Sequence, residues 1–187
     1  MVIHGFQKLT LLDYPGKVAC TLFSGGCNFR CPFCQNGNLV QHPEWEPVIP
    51  EEEIFAVLEK RCGVLDGVCV TGGEPTLDPD LERFVTKIKE LGYLVKLDTN
   101  GYRPEILKKL VEEKKIDYVA MDIKNAPSRY GETAGVKKID VMRINESVEF
   151  LKSGVVDYEF RTTLCKQLHG RAVSYTHLRA HETAANL

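Results

Sequence analysis

Residues 24–36 read SGGCNFRCPFCQN and place Cys27, Cys31 and Cys34 in a C-x3-C-x2-C spacing. Three thiols so close in sequence can serve one metal centre while the backbone wraps around it. Gly25 and Gly26 leave the approach open, and Pro32 stiffens the turn between the second and third sulfurs. No fourth cysteine follows nearby, which suits a [4Fe–4S] cluster with one iron left for an outside ligand. Structural zinc closes a fourth position, and His42 is the candidate that would make this a zinc site instead.

Outward from this knot, the chain alternates short apolar runs with segments of helical period. Strands are expected at residues 18–23, 68–71, 93–97, 118–123 and 158–162. Helices are expected after Pro50, over 80–91, after Pro104 and over 141–151. Strand-then-helix units of this length imply a parallel sheet covered by helices, with the chemistry beyond the carboxyl ends of the strands. The polar motifs fall at those ends. They are the cysteine loop, Gly72-Gly73-Glu74-Pro75, Asp98-Thr99-Asn100-Gly101, Asp122 with Lys124, and Arg161.

Each motif makes a chemical offer and has a plainer alternative. The two glycines allow close backbone approach to a ligand, and Glu74 can accept from an ammonium group; an ordinary strand-ending turn is the alternative. Asp98, Thr99 and Asn100 offer a carboxylate, a hydroxyl and an amide to a polyhydroxylated ligand or a cation. Asp122 and Lys124 are two apart and can share a face, or form a surface ion pair. Arg161 can reach a carboxylate ligand or close a structural salt bridge. Cys20 and Cys69 read as buried thiols. Cys62 and Cys165 have no partner motif, and His4, His42 and His169 read as surface or capping residues.

With Phe33 directly before Cys34, the knot resembles the C-x3-C-x-aromatic-C signature of the radical S-adenosylmethionine (radical SAM) superfamily. The run FQKLTLLDYPG at 6–16, then CNFRCPFCQN, TGGEPTL, VKLDTNG, YVAMDIK and YEFRTT in order, is similar to the glycyl-radical activating enzymes. Within them it is most similar to those that activate anaerobic ribonucleoside-triphosphate reductases. The resemblance covers about residues 1–165. It implies an α/β fold, a partial (β/α)6 barrel, here cut short after the fifth strand. It implies a [4Fe–4S] cluster on Cys27, Cys31 and Cys34. It further implies S-adenosylmethionine held by Phe33, Gly72, Gly73, Glu74, Asp98, Asn100, Lys124 and Arg161, with a monovalent cation at Asp98, Thr99 and Asp122. The implied reaction is reductive cleavage of the cofactor to methionine and a 5′-deoxyadenosyl radical. That radical then takes a hydrogen atom from a glycine of an anaerobic ribonucleotide reductase, with flavodoxin or ferredoxin as electron donor. The alternatives are a radical SAM enzyme acting on a small molecule or RNA, and a non-catalytic metal-binding module.

Size and composition fit this reading. The chain has 187 residues, 43% apolar and 27% charged, as one soluble domain does. A net charge of −2 gives no sign of a nucleic-acid surface. No apolar run approaches a membrane span and no secretory signal is visible, so no membrane partner is expected. Seven cysteines without an export signal point to a reducing, cytoplasmic setting. One domain is expected over 1–171. Residues 172–187, which contain VSYTHLRAHET, depart from the family pattern and are expected to pack poorly.

Overall fold

The computed structural model describes residues 1–169; the tail expected over 172–187 lies outside them. In chain order the elements are β1 (Ile3–Thr10), β2 (Ala19–Ser24), α1 (Gly37–Gln41), α2 (Glu51–Lys60), β3 (Gly67–Gly72) and α3 (Leu81–Glu90). Then come β4 (Leu94–Thr99), α4 (Pro104–Glu112), β5 (Tyr118–Asp122), α5 (Tyr130–Ala134), α6 (Val141–Lys152) and β6 (Asp157–Arg161). The strands form one six-stranded sheet in sequential order. β2 to β6 are parallel, as their helical crossovers require. They are the five strands read from the sequence.

β1 was not expected. It pairs antiparallel with β2 and caps that edge of the sheet. Its middle is half-exposed or exposed, with Ile3 and Thr10 buried at its ends, so it lacks the apolar alternation that betrays a strand. Register shifts between Ile3 and Gly5 and between Gln7 and Thr10 interrupt its ladder, and Thr10 pairs again with Ala19.

Helix boundaries follow local chemistry. Pro50 precedes α2, whose first turn holds Glu51, Glu52 and Glu53 and whose last turn holds Lys60, matching the helix dipole. Pro104 opens α4. The Asp140 carboxylate accepts from Met142 N–H (3.0 Å) and caps α6. Leu81, Phe84, Val85 and Ile88 bury one stripe of α3, each contributing about 1.5–3 kcal/mol.

The strands show two different faces. Cys20, Leu22, Val68, Val70, Val95, Leu97, Val119 and Met121 pack with the helices in the main core. On the opposite face, Tyr14, Ala19 and Cys69 form a second, smaller apolar cluster with Leu94 and Tyr118 against it. Tyr14 and Tyr118 rings lie 5.8 Å apart. A Cβ on Gly67 would come within 2.9 Å of the Tyr14 ring, so this glycine makes room for the tyrosine. The register then sets the far rim. Ser24 stands beside Gly72, Asp98 beside Ala120, and Asp122 beside Arg161.

Candidate functional site

The cysteine loop leaves β2 and is pinned at several backbone points. Gly26 N–H donates to the Leu39 carbonyl (2.7 Å) and Arg30 N–H to the Ala134 carbonyl (2.8 Å). The Arg30 guanidinium donates to the Cys27 and Phe29 carbonyls. Phe29 is buried and meets Tyr102 and Tyr130 edge-on, with centroids 5.8 and 6.4 Å away. All seven cysteines are free thiols among the described residues.

Gly72 and Gly73 have a reason the sequence did not show. Gly73 N–H donates to the Ser24 carbonyl and Glu74 N–H to the Gly26 carbonyl, both at 2.8 Å. A Cβ on Gly73 would overlap the Gly26 carbonyl, and one on Gly72, at φ +113°, would overlap the Ser24 backbone. Their missing side chains let the end of β3 lie against the cysteine loop, backbone on backbone. Asn36 Nδ2 ties the far side by donating to the Gly72 carbonyl (2.9 Å).

Glu74 is buried and heavily hydrogen-bonded, three of its four bonds falling on Oε1 and one on Oε2. It accepts from Thr76 N–H (3.1 Å), Thr76 Oγ1 (2.6 Å), Thr99 Oγ1 (2.8 Å) and Asn100 N–H (2.6 Å). Burial pushes its carboxyl up, while these hydrogen bonds pull it back. These bonds tie the Gly-Gly-Glu turn to the loop after β4, while Glu74 itself lines the cavity where an ammonium ligand was expected.

Charged side chains line the rim in alternating order. Lys96, 1% exposed, donates to Asp98 Oδ1 (2.6 Å), with Glu159 at 3.7 Å. Arg161 spans both aspartates, Nη1 to Asp98 Oδ2 (3.1 Å) and Nε to Asp122 Oδ1 (3.2 Å). Lys124 Nζ donates to Asp122 Oδ2 (2.8 Å). The Arg161 guanidinium thus bridges Asp98 and Asp122, two of the three residues where the sequence suggested a monovalent cation. Thr99, the third residue of that expected site, gives its hydroxyl to Glu74 and accepts from Gly101 N–H (3.1 Å).

One cavity of about 340 Å³ gathers all of these motifs. Its walls include Cys27, Cys31, Phe33 and Cys34 on one side and Gly72, Gly73 and Glu74 on another. Asp98, Thr99, Asn100, Asp122, Lys124 and Arg161 complete the rim. Every site residue read from the sequence is in this wall. So are Thr71, Gln35, Asn36, Thr162 and Thr163, which sequence reading missed. Asn36 and Gln35 were legible as polar residues adjoining Cys34; Thr162 and Thr163 had no signal beyond following a strand.

The donor set fits an iron–sulfur cube. Among the described residues no three His, Cys, Asp or Glu side chains gather as the shell of one ion. A cube needs a looser arrangement, since each thiolate takes its own iron. His42, the residue that could have completed a zinc site, turns away. Its ring stacks on Trp45 at 3.8 Å and its Nδ1 pairs with Glu44 (3.2 Å). Burial pushes the Cys27 thiol up to about 11 and raises Cys31 as well, with Lys124 pulling both down. Burial thus favours the uncharged form of Cys27 and Cys31, and metal uptake there would release protons.

Comparison with known proteins agrees with this geometry. The sequence profile of the Radical SAM superfamily matches residues 21–163. A Methanocaldococcus jannaschii protein, provisionally named a glycyl-radical enzyme activating enzyme, is 34% identical over 170 residues, 87% of this chain and 68% of that protein. The pyruvate formate-lyase-activating enzyme of Staphylococcus aureus is 34% identical over 104 residues, 53% of this chain and 41% of the enzyme. The structure of anSMEcpe with AdoMet bound superposes with a TM-score of 0.54 at 20% identity, over 73% of this chain and 39% of that one. The chain thus spans about two thirds of the first relative and about two fifths of the other two.

Proposed function

The chain belongs to the radical SAM superfamily, whose cofactors are a [4Fe–4S] cluster and S-adenosylmethionine, and on that premise we propose that it is a glycyl-radical activating enzyme. One observation carries the reading: the cysteine knot, the Gly-Gly-Glu turn and the charged rim share one cavity at the carboxyl ends of the parallel strands. The similarity to two proteins named as activating enzymes supports the class. An anaerobic ribonucleoside-triphosphate reductase is the proposed partner, on the strength of the Asp13-Tyr14-Pro15-Gly16 start and the motifs that follow.

Cys27, Cys31 and Cys34 would hold three irons, leaving the fourth toward the cavity. Backbone groups of Gly72 and Gly73 would meet the amino end of S-adenosylmethionine. Lys124 and Arg161 are the cations placed to meet its carboxylate, and both line the cavity while paired to aspartates. Phe33 supplies an apolar wall. When bound, the two cofactors supply one-electron reduction and abstraction of a hydrogen atom from the partner's glycine. The protein's part is to hold the cofactor, fix its orientation and keep water out. A monovalent cation at the aspartates would have to displace Arg161.

Electron paramagnetic resonance of the anaerobically reconstituted, dithionite-reduced chain tests this. A [4Fe–4S]+ signal that changes on adding S-adenosylmethionine, and a glycyl-radical signal on an added anaerobic reductase, are the expected results. Turnover of the cofactor on a small molecule or RNA without a protein partner would overturn the activase reading. A silent sample containing zinc would overturn the radical chemistry altogether.

A further inference from the structure

The side chain of Asn100 lies against Cys27 in the wall of the cavity. It is 5% exposed. Its Nδ2 donates to Asn28 Oδ1 (2.7 Å) and faces Cys27 Sγ at 3.8 Å. Its Oδ1 accepts from Tyr102 N–H (3.0 Å), and its own N–H donates to Glu74 (2.6 Å). The side-chain amide is therefore held at its nitrogen by Asn28 and at its oxygen by Tyr102, with the nitrogen also facing a sulfur. Phe29 N–H reaches the same sulfur at 3.3 Å.

We infer that Asn100 is a positioning residue for the cluster ligand Cys27, and that its side-chain amide tunes the cluster rather than binding S-adenosylmethionine. The inference rests on the cysteine knot holding an iron–sulfur cluster, as proposed above. The physics is that of a donor beside a ligand sulfur. An N–H pointed at a thiolate withdraws electron density, so the cluster accepts an electron more readily. Asn28 fixes the amide's orientation, since its carbonyl takes one of the two N–H groups. Because Asn100 N–H is also a donor to Glu74, the same residue joins the Gly-Gly-Glu turn to the cysteine loop. A shift in that turn would be felt at the sulfur through one residue.

The test is a redox titration of the full chain, reconstituted with iron and sulfide and without S-adenosylmethionine. Asn100→Ala removes the donor with the side chain; Asn100→Asp keeps the shape, removes the donor and adds a negative charge beside the sulfur. Asn28→Ala leaves Asn100 in place but frees its orientation, and serves if either Asn100 variant fails to fold. With iron content unchanged, the ratio of reduced to oxidised cluster at a fixed poised potential is expected to fall roughly three- to tenfold in Asn100→Ala, the equilibrium worth of about one hydrogen bond, and further in Asn100→Asp. A smaller fall in the same direction is expected in Asn28→Ala. A cofactor-free titration identical to wild type in all three variants, with weaker S-adenosylmethionine binding instead, would overturn this inference and return Asn100 to the cofactor. Wild-type chain that takes up no iron–sulfur cluster would overturn the proposed function and this inference with it, so the two failures are told apart.

Discussion

At the scale of single residues, the glycines before Glu74 are the sharpest case. Gly73→Ala and Gly72→Ala both drive a Cβ into backbone that cannot move aside, and Gly72 is also at positive φ. Each is expected to destabilise the fold by about 3 kcal/mol or more. Gly26→Ala, at φ +75° with nothing within 4 Å, is expected to cost only about 1–2 kcal/mol. Urea unfolding of the three variants checks this; equal losses would mean that steric overlap is not what selects glycine here. Glu74→Gln turns one acceptor into a donor facing N–H and O–H groups, with an expected loss of about 2–4 kcal/mol by the same measurement. An unperturbed Glu74→Gln variant would show that these four hydrogen bonds do not hold the fold together.

Between elements, charge does two different jobs. On the surface, Glu51 at the start of α2 receives Arg83 (2.7 Å) and Lys87 (2.7 Å) from α3. The Arg83 guanidinium, then Lys87, hold its carboxyl down at about 2. A depressed carboxyl stabilises the fold above its unfolded value of about 4.5, and that contribution is lost as pH falls toward 2. Exposure of Arg83 and Lys87 limits its worth. Glu51→Gln is expected to lower Tm by about 2–4 °C at pH 7, less in high salt, with the gap to wild type closing between pH 4.5 and 2. A gap independent of pH in thermal melts would point to packing instead. At the cavity rim, Arg161 joins β4, β5 and β6 through Asp98 and Asp122. Arg161→Ala leaves Asp122 with Lys124 and Asp98 with Lys96, so the fold is expected to survive with a loss of about 1–3 kcal/mol. Affinity for S-adenosylmethionine, measured calorimetrically on reconstituted protein, is expected to fall at least tenfold. Unchanged affinity would leave Arg161 a purely structural cation.

Across the whole molecule, the sheet has a working end and a sealed end. The carboxyl ends of β2 to β6 carry the cavity, while Tyr14 closes the opposite end over Gly67, Ala19 and Cys69. The Asp13-Tyr14-Pro15-Gly16 run, read first as a family marker, is thus also a plug. The Asp13 carboxylate accepts from Thr21 Oγ1 (2.6 Å), which fixes the turn against β2. Tyr14→Ala is expected to cost about 3–4 kcal/mol by opening a void beneath the sheet, while leaving the iron content of reconstituted protein unchanged. Loss of iron in a folded Tyr14→Ala variant would couple the two ends and contradict this division.

Sequence alone determined the parallel strands, the helices that cover them and the rim motifs, because each has a local cause. Apolar runs, helical periodicity, proline and acidic residues at helix starts, and short metal-ligand spacing are all written within a few residues. It did not reveal β1, since a half-exposed edge strand leaves no alternation to read. Nor could it settle what the rim residues touch. Glu74 and Asn100 looked like cofactor ligands, and Asp98, Thr99 and Asp122 like a cation site. In the structure Glu74 accepts from Thr99 and Asn100, Asn100 Nδ2 faces Cys27 Sγ, and Arg161 donates to both aspartates. Those partners lie between 25 and 73 residues apart in the chain. Only the packing of successive strands brings them within reach, and that is a property of the tertiary structure.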